Sequence, residues 1–274
     1  MAVYKDEKIE FFDRTKRNTS LVMTEAHFHD KHELYFLEKG KTKYFIGSEI
    51  FLLEEGDLVF VPKGAFHKTD SEANKEVERL LFVFDDDFVG EEFLPYIEEL
   101  KTNKHVRLPK EQIYKLKDIF NKIENEDKKR QKDYFTLEKL YLRQLLILIS
   151  RLRLKNNVTK FSQAYTLIQN AARYINENCN SDMSLESLAA KYAMSPSHFS
   201  KQFKSVTGVG LNEYINLSRI TASEKMLLNT DWPITRIATE CGFNDSNYFA
   251  AVFKKIKGIT PKKYSMQKNG FERN

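Results

Sequence analysis

ITRIATECGFNDSNYFAAVFKKIKG, Ile234–Gly258, repeats the pattern of LESLAAKYAMSPSHFSKQFKSVTG, Leu185–Gly208, and each stretch reads as two short helices joined by a turn. Leu188 and Ala189 match Ile237 and Ala238 at an offset of 49, whereas Phe199, Phe203, Gly208 and Tyr214 match Phe249, Phe253, Gly258 and Tyr264 at an offset of 50. The one-residue slip falls in the turn, where a loop absorbs it and both helices stay in register. Ser195 and Asp245 stand where N-caps belong, Pro196 at a first helical position, and Gly208 and Gly258 just past a last turn. The phenylalanines, with Val206 and Ile256, form the apolar stripe of each second helix. One helix-turn-helix pattern is weak evidence, because many helical proteins join two helices by a tight turn. Two copies with matched caps and matched aromatics are not weak, and a duplicated unit suits a periodic target such as successive major grooves of duplex DNA.

Burial of those stripes leaves Ser197, His198, Ser200, Lys201 and Lys204 outward on the first copy's second helix. On the other copy it leaves Ser246, Asn247, Ala250, Ala251 and Lys254. Outward residues early in such a helix reach base edges, and lysines further along reach phosphates. The chain's net charge of +5 sits wholly on the segment from Ala164 onward, the first 163 residues being balanced. A phosphate-binding surface requires that asymmetry.

Residues 164–266 resemble the DNA-binding domain of the AraC/XylS family of bacterial transcription regulators. The matching residues are the helix LNEYINLSRITASEKMLL (Leu211–Leu228), then PITRIATECGFND, then YFAAVFKKIKGITPKKY up to Tyr264. The resemblance implies an all-α domain of seven helices whose central helix holds two reading heads apart. It places base reading at Ser197, Ser200 and Lys201 in the first head and at Ser246, Asn247, Ala250 and Ala251 in the second. Arg219 matches an arginine of the central helix that supports the domain. Family members often carry serine and arginine where this chain has Ala250 and Ala251. Alanine can touch only a thymine methyl, whereas arginine pairs with guanine through two hydrogen bonds, so the second head is expected to discriminate more weakly. Asn247, which can pair with adenine, is its best remaining reader.

Upstream the composition changes class. From about Leu21 to Phe84 come short runs rich in Phe, Val, Ile and Tyr (LYFLEKG, KYFIG, IFLLEEGDLVFVP, RLLFVF), separated by Gly40, Gly47-Ser48, Gly56-Asp57 and Pro62-Lys63-Gly64. That spacing predicts an all-β barrel or sandwich, with EEGDLVFVPKGAFH as a hairpin-like strand. Within it stand His27, His29, Glu33 and Gly40, followed by Gly56, Pro62, Gly64 and His67. This pattern resembles the two motifs of the cupin barrel, which in AraC relatives is the usual effector-binding domain. His27 and His29, two apart on a strand, are expected to face one way, with Glu33 and Tyr35 in the same parity and His67 entering from the facing strand.

Three readings stay open for His27, His29, Glu33, Tyr35 and His67. In metal-dependent cupins the same set of histidines and a glutamate holds Fe, Mn or Zn. In sensor relatives the pocket takes a small polar ligand, often a sugar. A polar lining with no ligand is the third. Attachment to a DNA-binding domain favours the sensor, because a barrel controlling transcription needs a ligand-dependent shift rather than turnover. The expectation is therefore no catalytic residue, no cofactor and no metal; the alternative is a metal-dependent cupin isomerase or dioxygenase with a DNA-binding tail.

Two helices are expected between the domains, at about 109–154. PKEQIYKLKDIFNKIENE puts Ile113, Leu116, Ile119, Phe120 and Ile123 on one face; the charged run Glu124–Asp133 then reads as a solvated connection. Tyr134–Leu154 is apolar on more than one side (Leu137, Leu140, Tyr141, Leu145, Leu148, Ile149, Leu152), which suggests a partner such as a second copy. Domain limits follow at 1–155 (barrel to about 108), a linker at 156–163, and 164–274 with helix-turn-helix motifs at about 185–208 and 234–258. MAVYKDEKIEFFDR lacks the apolar run of a signal peptide and LLILI at 145–149 is too short for a bilayer. With only Cys179 and Cys241 present, a reduced bacterial cytoplasm is expected. The expected partners are double-stranded DNA, a small-molecule effector, a second copy, and RNA polymerase if the protein activates.

Overall fold

A computed structural model describes residues 11–17, 29–71, 76–152 and 163–266. The chain divides into two compact units, Met1–Lys160 and Phe161–Asn274. The first contains strands β1 (Phe11–Arg17), β2 (His32–Lys39), β3 (Lys41–Ile46), β4 (Glu49–Glu54), β5 (Asp57–Val61), β6 (His67–Ser71) and β7 (Val77–Phe84). Helix α1 (Asp86–Val89), a 3-10 turn (Glu91–Phe93), α2 (Leu94–Thr102), β8 (His105–Arg107), α3 (Lys110–Lys129) and α4 (Tyr134–Arg151) follow. The strands form a five-stranded sheet, β1-β7-β2-β5-β8, and a three-stranded sheet, β4-β3-β6, antiparallel throughout.

Alternation along β2 decides what each face of the larger sheet meets. Tyr35 and Leu37 pack inward with Tyr44, Ile46, Val59 and Val61. Leu34 and Phe36 pack outward with Phe60 and Phe82 against Leu116, Phe120, Leu145 and Ile149 of the helices. Burial on both faces explains why LYFL reads as a continuous apolar run rather than an alternation.

Several expectations need correction. EEGDLVFVPKGAFH is not a hairpin: β5 pairs with β2 and β8, whereas β6, which starts at its last residue His67, pairs with β3 of the other sheet. The turn at Gly56 (φ 89°) instead carries the chain from one sheet to the other. The charged run does not begin at Glu124 as a connection, since α3 continues to Lys129 with Lys128 paired to Glu124 at 2.6 Å. Charges on a solvated face with i,i+4 partners extend a helix rather than end it. Arg130 (φ 43°) closes it, and Arg130–Asp133 is the connection. Helices α1 and α2 had no place in a barrel running to about 108; Asp85 caps α1 by accepting from the Phe88 amide. The expected linker falls almost entirely outside the described residues, and Gln163 already begins a helix.

The second unit contains seven helices among the described residues, the number implied by the resemblance. They are α5 (Gln163–Glu177), α6 (Leu185–Lys191), α7 (Pro196–Thr207), α8 (Leu211–Asn229), α9 (Ile234–Glu240), α10 (Ser246–Lys257) and α11 (Pro261–Ser265). Repetition in sequence becomes repetition in packing. Phe203 meets Tyr214 edge-on at 5.3 Å, and Phe253 meets Tyr264 edge-on at 5.3 Å. Both first helices end in the same reverse turn. Met194 and Phe243 amides reach back to Ala189 and Ala238 carbonyls, with Ala193 (φ 53°) and Gly242 (φ 85°) left-handed between. After that turn α7 starts behind Ser195 alone, but α10 behind Asn244 and Asp245, which locates the extra residue.

Candidate effector site and nucleic-acid interface

In the first unit, His29, Glu33 and His67 converge. Glu33, on the inward parity of β2, is buried, with Oε2 3.2 Å from His29 Nε2 and 3.6 Å from His67 Nε2. His29 lies ahead of β2 rather than on a strand, held where its carbonyl accepts from the Gly64 amide. His67 opens β6 on the opposing sheet, as expected. Nδ1 of His29 faces the Lys31 carbonyl and Nδ1 of His67 the Ala65 carbonyl, each at 2.9 Å. A carbonyl only accepts, so Nδ1 carries a proton in both rings and Nε2 is turned to Glu33. His27 lies outside the described residues.

Burial alone would raise the Glu33 pKa, but the hydrogen bond from His29 and the nearby His67 imidazole outweigh it and hold the carboxyl well below its usual range. Burial pulls His29 down, and Glu33 more than reverses that, leaving its pKa raised. Tyr44, which the sequence reading passed over, donates to Glu33 Oε1 at 2.6 Å; burial and that carboxylate push its own pKa well up. Tyr35 lies beside it, ring centroids 5.0 Å apart. His32 belongs elsewhere. Its ring lies against Phe60 and Phe84 on the outward face, Nδ1 accepts from the Lys63 amide, and Nε2 donates to Asp86.

The ligand atoms of His29, Glu33 and His67 all lie within 4.8 Å of one another. Two imidazoles and a carboxylate, each imidazole oriented through Nδ1 by a carbonyl, fit a divalent first-row metal in donor type and in outer hydrogen bonding.

In the second unit, Ser195 accepts from the His198 amide and Asp245 from the Tyr248 amide, so both outer helices are capped as expected. Ser197, His198, Lys201, Lys204, Asn247, Ala251 and Lys254 are exposed; Ser200, Ser246 and Ala250 are half-buried. Lys257, one turn beyond Lys254, turns inward and pairs with Glu224 at 2.7 Å, and Glu224 also accepts from Tyr264. Arg219 donates from α8 to the Cys179 carbonyl at 2.8 Å and the Ser181 carbonyl at 3.1 Å. Its guanidinium also lies 5.6 Å from the Phe243 ring centre, so one side chain ties the end of α5 to the second turn. Cys241 is a buried core residue, as read, and Cys179 is buried too. Among the described residues no helix is long and apolar enough to cross a membrane.

A cupin barrel with helices behind it and a pair of capped helix-turn-helix units define a DNA-binding transcription regulator. The cupin domain family matches residues 22–84 and the helix-turn-helix domain family residues 188–267. The transcriptional activator RhaR of Mannheimia succiniciproducens is 25% identical over 238 residues, 87% of this chain and 86% of that protein. Regulatory protein PocR of Salmonella typhimurium is 36% identical over 102 residues, 37% of this chain and 34% of that protein. The C-terminal domain of AraT from Geobacillus stearothermophilus is 29% identical, with a TM-score of 0.37, over 39% of this chain and 88% of that one. These matches support an AraC-family regulator with a cupin domain at its N-terminus.

Proposed function

We infer that the barrel senses a small polar effector, a sugar by preference, and that its state sets how the C-terminal unit acts at promoters, without enzymatic turnover. What supports this is a cluster of hydrogen-bonding groups (Glu33, Tyr44, His29, His67) buried beside the aromatic face of Tyr35 in a mainly apolar barrel. Hydroxyl-rich ligands need a few convergent polar groups in an apolar, aromatic setting. The first head reads bases through Ser197, Ser200 and Lys201, with His198 also on its DNA-facing side, the second through Ser246, Asn247, Ala250 and Ala251, with Lys204 and Lys254 on phosphates. Exposed Tyr114 (79%) on α3 and Leu140 (52%) on α4 support a second copy as the partner of these helices. RNA polymerase is a further partner if the protein activates.

The test is footprinting on its own promoter, with and without neutral sugars. Two protected windows about 10 bp apart per site are expected, changing in occupancy with sugar. His67→Ala, if folded by circular dichroism, should keep the footprint and lose the sugar effect. One short window, or a full sugar response in the variant, overturns the reading. The Nδ1 bonds of both histidines favour a second reading, in which His29, Glu33 and His67 hold a divalent metal. Such an ion would supply a Lewis-acidic anchor for a ligand oxygen. Metal analysis of untagged protein separates the two: stoichiometric Fe, Mn or Zn, lost in His29→Ala and His67→Ala, supports the second.

A further inference from the structure

Arg79 is a buried charged side chain on a strand that supplies much of the core. It sits on β7 between Val77 and Leu81, both packed against the inward cluster, whereas Leu80 and Phe82 belong to the outward one. Parity therefore turns Arg79 toward the barrel interior. It is 9% exposed, its guanidinium carbon 5.8 Å from the Tyr35 ring centre. Nη2 donates to Asp13 of β1 at 3.0 Å, but Nη1 is buried and has no hydrogen-bond partner among the described residues. A buried charged donor left unsatisfied is costly, so such a group marks a place where something else is accepted. From Arg79 a chain of contacts runs through Tyr35 and Tyr44 to Glu33, His29 and His67.

We propose that Arg79 is the second anchor of the effector site, its Nη1 donating to an oxygen of a neutral, hydroxyl-rich ligand whose far end meets the Glu33 cluster. This rests on the sensor reading and names its ligand class. Charge balance carries the word neutral. Arg79 already has Asp13 as counter-ion, and Glu33 already faces His29 and His67. No uncompensated positive charge is left for a carboxylate or phosphate ligand, whereas a hydroxyl needs only the spare donor. The guanidinium fork also offers Nη1 while Nη2 stays on Asp13, which a lysine ammonium cannot do in the same geometry.

Calorimetric titration of the full chain with D-galactose, L-arabinose and L-rhamnose, each against D-galacturonate and D-glucuronate, tests this. A neutral sugar should bind, and Arg79→Lys should weaken it about ten- to a hundred-fold, the range of a hydrogen bond to a charged donor. Asp13→Asn keeps the guanidinium but frees its charge, so preference should move toward a uronate. This second variant carries the test if Arg79→Lys fails to fold. Equal binding by wild type and Arg79→Lys, a wild-type preference for uronates, or no binding of any probe overturns the proposal. If a neutral sugar binds through Arg79 yet leaves promoter occupancy unchanged, the site stands and the sensor reading falls.

Discussion

Tyr44 holds one oxygen of Glu33, donating to Oε1 at 2.6 Å, so that only Oε2 is left for the two histidines. Tyr44→Phe removes the donor and leaves a buried carboxylate oxygen unsatisfied. The barrel should lose about 1–3 kcal/mol, read as a lower first transition in calorimetry of the full chain. Promoter affinity without ligand should not change. An unaltered melt would show that Glu33 is oriented by other groups.

Stability of the barrel should depend on pH through His29 and Glu33. The folded pKa of His29 is raised above 6.5, so its contribution is fully present below 6.5 and is lost as pH rises through the folded value. That of Glu33 is depressed well below 4.5, so its contribution is present above 4.5 and is lost as pH falls through the folded value. The gap in melting temperature between wild type and His29→Gln should be widest between about pH 5 and 6 and shrink as pH rises past the raised pKa of His29. A constant gap across that range would remove the ion pair from the account.

The two matched turns should respond in opposite directions to a glycine–alanine exchange. Ala193 holds φ 53°, a conformation that costs an L-residue about 1–2 kcal/mol. Ala193→Gly should therefore raise the stability of the C-terminal unit by up to about 1 kcal/mol, the gain being offset by the freedom glycine has when unfolded. Gly242→Ala should lower it by more. A Cβ there would sit 2.9 Å from Asn180 Cα and the Cys179 carbonyl oxygen, both backbone atoms. Denaturant melts of the two variants read the signs directly.

Lysines one turn apart should behave differently. Lys254→Ala should weaken all DNA sequences alike and flatten the salt dependence by about one unit of slope. Lys257→Ala should leave that slope alone and lower stability, because its partner is Glu224. Lys201→Ala should relax preference at one base position at a cost of about 1–3 kcal/mol, and Ala251→Arg should create a preference in the second head. Identical binding profiles for all four would mean the reading heads are misassigned.

The helical repeat was legible because its determinants are local: caps, stripes and stops lie within a dozen residues of one another. What the alignment could not separate was that the extra residue follows the left-handed turn rather than sitting in it. In the barrel, Glu33 and His67 were found by motif, whereas Tyr44 and Arg79 were not. They join the inward cluster only through sheet register, which places Tyr35 and Tyr44 on facing sheets and Arg79 beside Leu37. EEGDLVFVPKGAFH misled for a related reason. A glycine turn between two strands looks the same whether the strands pair or part company. The short helices of 86–102 offered too few turns for their periodicity to stand out.

Adjacent residues of β2 serve different masters: Glu33 and Tyr35 line the inner wall, while Leu34 and Phe36 press on the helices, Phe36 stacking on Phe120 of α3 at 5.7 Å. A strand so placed is a single stiff partition. On the sensor reading proposed above, a ligand that displaced it would move both faces together, and no separate lever would be needed to reach α3 and α4.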